Sequence, residues 1–344
     1  MARRRLNRRQ SERVSAIVQR RRERSTQTAQ AEADSRAENG LGEAQEGLVI
    51  ARYGANLVVE SAEGGLYACT ARQNLGDLVC GDRVVWQASG NEAGVITADL
   101  PRFSVLERHG YHGATKPLAA NVDQLVIVSA PLPELSAELI DRYLVASRFS
   151  GIPPLLVLTK TDLLSTEALG TMESRLGEFR AIGYPVIYAS VRRPGGLEEV
   201  IAHLKERTSV LVGQSGVGKS SLIDALLPDH KLHIGAVSQA SGLGRHTTSA
   251  ATLYHLPCGG NLIDSPGVRN FHLWDLPPEE LAEGYVELAP LAGHCRFANC
   301  AHGPEPGCAF RQAVRDGHVS QRRLDSYLQL RSALERARLD RRVR

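Results

Sequence analysis

The spacing of apolar positions changes three times along this chain. Residues 1–45 present no apolar face; they are Arg-rich, then rich in Gln, Ala, Ser and Glu, a composition that does not build a packed core. Residues 46–115 carry short β-branched runs at 47–50, 57–59, 66–69, 83–86 and 94–96, with turn signals at Gly64-Gly65, Cys80-Gly81-Asp82 and Ser89-Gly90-Asn91. Five short strands in that space predict a small closed β-barrel of the OB type. From 116 to 276 the runs become continuous, at 125–128, 155–158, 186–188, 210–212 and 262–263, and amphipathic segments such as 138–149 and 197–207 separate them. Continuous apolar runs are the mark of buried parallel strands, so this stretch predicts a doubly wound α/β domain. Residues 277–344 read as helical around a Cys/His cluster.

The chemistry sits at the ends of those runs. Gly213-Gln214-Ser215-Gly216-Val217-Gly218-Lys219-Ser220 follows the run 210–212 and precedes a helical pattern that begins at Ser221. It is a full G-x4-G-K-S match in the strand, loop and helix context that motif requires. Glycines let backbone N–H groups cradle phosphate oxygens, and the helix start adds its dipole. Lys219 brings a point charge to the β- and γ-phosphates, and the Ser220 hydroxyl is a Mg2+ ligand. Asp264-Ser265-Pro266-Gly267 ends another run and matches D-x-x-G: the Asp holds Mg2+ through water and the Gly N–H faces the γ-phosphate. Thr159-Lys160-Thr161-Asp162 ends a third run and matches [NT]-K-x-D, with Thr159 where Asn is commoner. A carboxylate at Asp162 can accept from both N1–H and the 2-amino group of guanine; adenine offers neither, which disfavours a P-loop ATPase or kinase. Ala189 and Ser190 follow after one more run, where a base-contacting loop belongs.

The order of these elements is unusual. The guanine element and base loop precede the phosphate loop, and D-x-x-G comes last, which describes a circularly permuted GTPase. Permutation is tolerated where chain ends lie close together at the surface. Between phosphate loop and D-x-x-G lies Ser241-Gly242-Leu243-Gly244-Arg245-His246-Thr247-Thr248. Thr247 or Thr248 can ligate Mg2+ and sense the γ-phosphate. Val268 follows Gly267 in place of the Gln that orients water in familiar GTPases, and His246 is a candidate for that task.

Cysteine usage adds a second site. Cys295, Cys300, His302 and Cys308 form C-x4-C-x-H-x5-C, a complete tetrahedral set for one structural Zn2+ in a reducing compartment. His294 is read as a bystander, and Cys69, Cys80 and Cys258 as small hydrophobes. Charge changes the picture once more. Residues 1–24 carry a net +8 and residues 311–344 a net +6, so the total of +3 leaves −11 for the body. Basic ends on an acidic body suggest a polyanionic partner. The first 45 residues fit a solvated tail, an arm that folds on nucleic acid, or a transit peptide, the last opposed by Glu12 and Glu23. With no run of about 18 apolar residues and no apolar segment after the N-terminal charges, neither a membrane span nor a secretory signal is expected. The expectation is a cytoplasmic protein. No separate dimerisation helix stands out, which leans toward a monomer.

Barrel, permuted GTPase with TKTD, GQSGVGKSS, GLGRHTT and DSPGV, then CRFANCAHGPEPGC: this combination resembles the bacterial small ribosomal subunit-dependent GTPase family RsgA (YjeQ) from about Gly47 onward. The resemblance implies a cytoplasmic GTPase that binds the maturing small ribosomal subunit and its rRNA. It implies action late in assembly, hydrolysis of GTP to GDP stimulated by the subunit, and release coupled to hydrolysis. By position, Thr159, Lys160 and Asp162 would face guanine, Gly213 to Ser221 would hold the phosphates, and His246 would be the catalytic candidate. The alternative is a GTP-regulated RNA-binding factor of translation with no part in assembly.

Overall fold

The computed structural model describes residues 41–54, 56–90, 92–109, 115–227, 251–264 and 276–343. The Arg-rich stretch 1–40, His246, Thr247, Thr248 and Gly267 lie outside them.

Five strands form the first unit: β1 (Ala44–Tyr53), β2 (Asn56–Ser61), β3 (Leu66–Ala71), β4 (Arg83–Ala88) and β5 (Ala93–Asp99). They run in the order β1-β2-β3-β5-β4, and β4 pairs back onto β1, closing the barrel. Only the β3–β5 pairing is parallel. Trp86, Val49, Val59 and Ile96 fill the interior. The first strand is longer than its apolar run: Ala44, Gln45 and Glu46 pair with Gln87, Trp86 and Val85, closing the ring through backbone bonds that hydropathy does not report. A hairpin of β6 (Val105–His109) and β7 (Thr115–Ala120), absent from the apolar pattern because Lys116 and Pro117 interrupt it, leads out of the barrel.

The central unit runs β8 (Gln124–Ser129), α1 (Ala137–Ser150), β9 (Pro154–Leu158), α2 (Thr166–Ala181), β10 (Val186–Tyr188), α3 (Glu198–Leu204), β11 (Thr208–Val212), α4 (Lys219–Leu226), β12 (Ala251–His255) and β13 (Asn261–Asp264). Its strand order is β10-β9-β8-β11-β13-β12, parallel except for β12. Ser136 caps α1 by accepting from the Leu139 N–H, and Gly151 ends it in the left-handed region. The chain walks outward from β8 to β10 and then restarts at β11 beside β8. Ligands of doubly wound sheets bind outside the carboxyl ends of the strands at that reversal.

The two units share one sheet. The second half of β1 pairs with β2 on one side and β12 on the other, with Ala51 opposite Thr252 and Arg52 opposite Ala251. Eleven strands are therefore continuous from the edge of the α/β unit into the barrel.

The C-terminal region departs from the helical expectation over its first half. Residues 277–308 are mainly turns with two short 3-10 segments, and the helices are α5 (Ala309–Arg315) and α6 (Gln321–Val343). Gly303, Pro304, Pro306 and Gly307 favour turns over helix, so the cluster itself carries no regular structure. Tyr285, Leu288, Phe310, Leu324 and Tyr327 make the core of this region, and Val145 of α1 joins it.

Candidate functional site

The phosphate loop leaves β11 between buried neighbours. Gly213 has φ +138°, and a Cβ there would sit 2.2 Å from the Val128 carbonyl oxygen, so only glycine fits. The loop then exposes Gln214, Ser215 and Gly216 and buries Val217 beneath them. Gly218, also left-handed, turns the chain into α4, where Ser220 and Ser221 are exposed in the first turn. Lys219 bends back over the loop, its Nζ donating to the carbonyls of Gly213 (2.7 Å) and Gln214 (2.6 Å). The N-terminal turn of a helix, a glycine-rich loop and an ammonium together form an anion cradle.

Thr159, Lys160 and Asp162 lie at the carboxyl end of β9, and the fold brings them to the phosphate loop. The buried Thr159 hydroxyl lies 2.5 Å from the Val217 carbonyl oxygen and 3.0 Å from that of Ser129. Lys160, at φ +55°, donates from Nζ to the carbonyls of Gly216 (2.6 Å) and Leu132 (2.8 Å), laying its stem across the floor between them. The Thr161 hydroxyl donates to the Ala189 carbonyl at 3.0 Å. Asp162 sits in a short 3-10 turn, and the buried Ser190 hydroxyl donates to its Oδ1 at 2.6 Å. That hydrogen bond, helped by the charges of Arg192 and Arg193, holds the Asp162 carboxyl below its ordinary range. The carboxylate is thus ionised at neutral pH with Oδ2 left to accept. Ala189 and Ser190 serve here as supports of the guanine element, through a carbonyl and a hydroxyl. Asp264 ends β13, next to β11, at the same edge of the sheet.

Three participants carry no signal of their own in the sequence. The Leu132 carbonyl anchors Lys160, and nothing in the turn after β8 marks it. The Arg193 guanidinium donates to the Thr161 carbonyl at 3.1 Å; its place in a basic pair just after the base loop was the available hint. Tyr143 of α1 lies against the first residue of the phosphate loop.

At the other end of the molecule the four predicted ligands meet. One ligand atom from each of Cys295, Cys300, His302 and Cys308 lies within 4.8 Å of the others. His302 Nδ1 is 3.5 Å from Cys295 Sγ and 3.6 Å from Cys308 Sγ, and those two sulfurs are 4.0 Å apart. Four ligands around Zn2+ with Zn–S bonds of about 2.3 Å would have edges of about 3.8 Å, so the set fits the ion. The backbone N–H of Ala309 donates to Cys295 Sγ and that of His302 to Cys300 Sγ. Burial and the Arg331 charge lower the His302 pKa, leaving a neutral imidazole, and its ring stacks on Phe310 at 3.9 Å. The three remaining cysteines are apart from this site, as expected. Cys80, whose thiol burial pushes up to about 12, donates to the Ala251 carbonyl at the junction of β1 and β12.

Comparison with known proteins gives a consistent result. Residues 99–274 match the family model described as RsgA GTPase. The chain is 49% identical over 292 residues to the small ribosomal subunit biogenesis GTPase RsgA 1 of Vibrio vulnificus, covering 83% of each chain. Among solved structures it is similar to YjeQ from Thermotoga maritima, with TM-score 0.69 and 30% identity over 85% of this chain and 98% of that one. It is also similar to YloQ, described as a circularly permuted GTPase, with TM-score 0.66 and 30% identity over 85% of this chain and 96% of that one.

Proposed function

Since the chain belongs to the RsgA GTPase family and is a GTP-hydrolysing enzyme, we propose that it binds the maturing small ribosomal subunit, acts late in its assembly, and leaves on hydrolysing GTP. The observation that carries this reading is the convergence of the phosphate loop, the guanine element and Asp264 on the carboxyl edge of one sheet, in permuted order, between a closed barrel and a Cys3His cluster.

Asp162 reads the guanine N1–H and 2-amino group, with Ser190 orienting it and the Lys160 stem packing against the base. The N–H groups of 213–221 and Lys219 hold the phosphates. Mg2+ would be held by Ser220 and, through water, Asp264; it supplies charge neutralisation between the β- and γ-phosphates. Thr247 or Thr248 would be a further ligand to it with GTP, Gly267 would face the γ-phosphate, and His246 would position water in the absence of a Gln after Gly267. The four ligands of the Cys3His cluster leave no open position, which supports a single structural Zn2+. The barrel, the C-terminal region and the basic ends contact rRNA, and the protein works as a cytoplasmic monomer. No helix among the described residues is long and apolar enough to cross a membrane. In the permuted order, the D-x-x-G segment leads straight into the C-terminal region, so nucleotide state reaches that region along the chain.

Turnover of GTP and ATP by the purified protein, alone and with small or large ribosomal subunits, tests the reading. GTP-selective turnover that rises strongly with the small subunit alone is expected. Turnover blind to the small subunit would detach the GTPase from that partner. Normal small-subunit precursor processing after depletion would favour the translation-factor alternative.

A further inference from the structure

Helix α1 belongs to two cores at once. On one face Asp141, fully buried, accepts from Arg322 Nη1 at 2.7 Å and from Arg323 Nη1 at 2.5 Å, both on α6. Arg322 also donates to Glu178 of α2, and Arg323 to Glu287 of the C-terminal turns. The result is an alternating chain of five charges, Glu178, Arg322, Asp141, Arg323 and Glu287. One turn further along the same face, Val145 lies in the C-terminal core, and a Cβ on Gly284 would come within 2.7 Å of it. The opposite face of α1 turns to the nucleotide site. Ile140, Tyr143 and Leu144 are buried in the core of the α/β unit. Ile140 and Tyr143 line a small cavity together with Gly213, Gln214 and Val217 of the phosphate loop. Tyr143 and Gly213 face each other across that cavity.

We propose that the C-terminal region sets the affinity of the phosphate loop for nucleotide through α1, with Asp141 and Tyr143 as positioning residues. The inference rests on the guanine-nucleotide reading of the loop. Its physical basis is the stiffness of a helix gripped on both faces. Sliding α6 along α1 would leave Asp141 buried and unpaired, a costly state, so the docked C-terminal region holds α1 in one register. Tyr143 carries that register to Gly213, which sits so close to β8 that a Cβ there would meet the Val128 carbonyl oxygen at 2.2 Å. Small displacements of binding groups weaken ligands disproportionately. By reciprocity, a partner that strains the docked C-terminal region would alter nucleotide affinity, and nucleotide would alter the hold on that partner.

The test is a double-mutant cycle on the full-length protein, read by equilibrium binding of a fluorescent GDP derivative. Tyr143→Phe and Asp141→Asn should each weaken GDP by about three- to tenfold, the scale of one hydrogen bond. The double variant should be no weaker than the poorer single, because both act through one helix. The KM for GTP should rise in step, with kcat moving less. Metal content and circular dichroism verify that each variant is folded. If Asp141→Asn does not fold, Arg322→Lys takes its place in the cycle. Folded single variants that bind GDP like the wild type, or fold-changes that multiply in the double, would overturn the proposal. A wild-type protein that binds no guanine nucleotide would instead remove the reading beneath it.

Discussion

In the function proposed above, nucleotide selectivity rests on one carboxylate, that of Asp162. Its Oδ1 is occupied by Ser190, so the geometry leaves Oδ2 and the in-plane lone pairs for a base edge. Replacing Asp162 by Asn puts an amide donor where guanine also donates. Asp162→Asn should weaken GTP by at least about tenfold, as expected for a hydrogen bond to a charged group, and improve xanthosine triphosphate, whose 2-oxo group accepts. Competition binding with the two nucleotides measures this, and unchanged guanine preference would remove Asp162 from the base. Thr159 shows why its departure from Asn is harmless. The Ser129 carbonyl already accepts from the Thr159 backbone N–H, so the side chain has one carbonyl left to reach, that of Val217, and the single hydroxyl proton suffices for it.

At the scale of elements, the C-terminal turns show what a short segment without regular structure needs. Between 292 and 308 the backbone has few hydrogen bonds of its own, and the Cys3His cluster does the work of a core. Structural zinc can contribute on the order of 10 kcal/mol in such a region. The protein should carry one equivalent of zinc per chain, and Cys300→Ser should lower it to near zero and lower the thermal midpoint. Elemental analysis with a melting curve decides this; a metal-free wild type with the same midpoint would contradict it. Helix α6 then bridges this cluster to α1 through Arg322 and Arg323, so loss of zinc should propagate to the α1 face before it reaches the barrel.

At the scale of the whole molecule, the barrel and the α/β unit are joined by more than the β1–β12 pairing. Asp82, buried in the barrel loop, receives two hydrogen bonds from Arg102 of the following linker. His255 of β12 meets Glu60 of β2 at 2.6 Å from Nε2 and Asn261 of β13 at 2.7 Å from Nδ1. The Glu60 carboxylate raises the His255 pKa above its ordinary 6.5. A raised folded-state pKa contributes stability that is full below the unfolded value and is lost as pH rises through the folded value. The thermal midpoint should therefore fall as pH is raised from about 6 upward, by a degree or two because the pair is half-exposed. His255→Gln should flatten that slope. An unchanged slope in the variant would assign the pH dependence elsewhere.

The sequence by itself determined ten of the thirteen strands among the described residues, the three nucleotide motifs with their permuted order, and the four residues of the Cys3His cluster. Each of these is local: a β-branched run, a glycine where φ must be positive, or a carboxylate or thiolate at a fixed spacing needs only its neighbours to be legible. Tertiary structure alone decided what lies between them. Thr159 and Val217 are 58 residues apart, and Asp141 and Arg323 are 182 apart. Bonds over such separations leave no periodicity, because either partner alone reads as an ordinary polar residue. The same holds for β12, whose place between β13 and β1 makes barrel and GTPase one sheet. Backbone pairing is indifferent to side-chain type, so no pattern of apolar positions could have announced it.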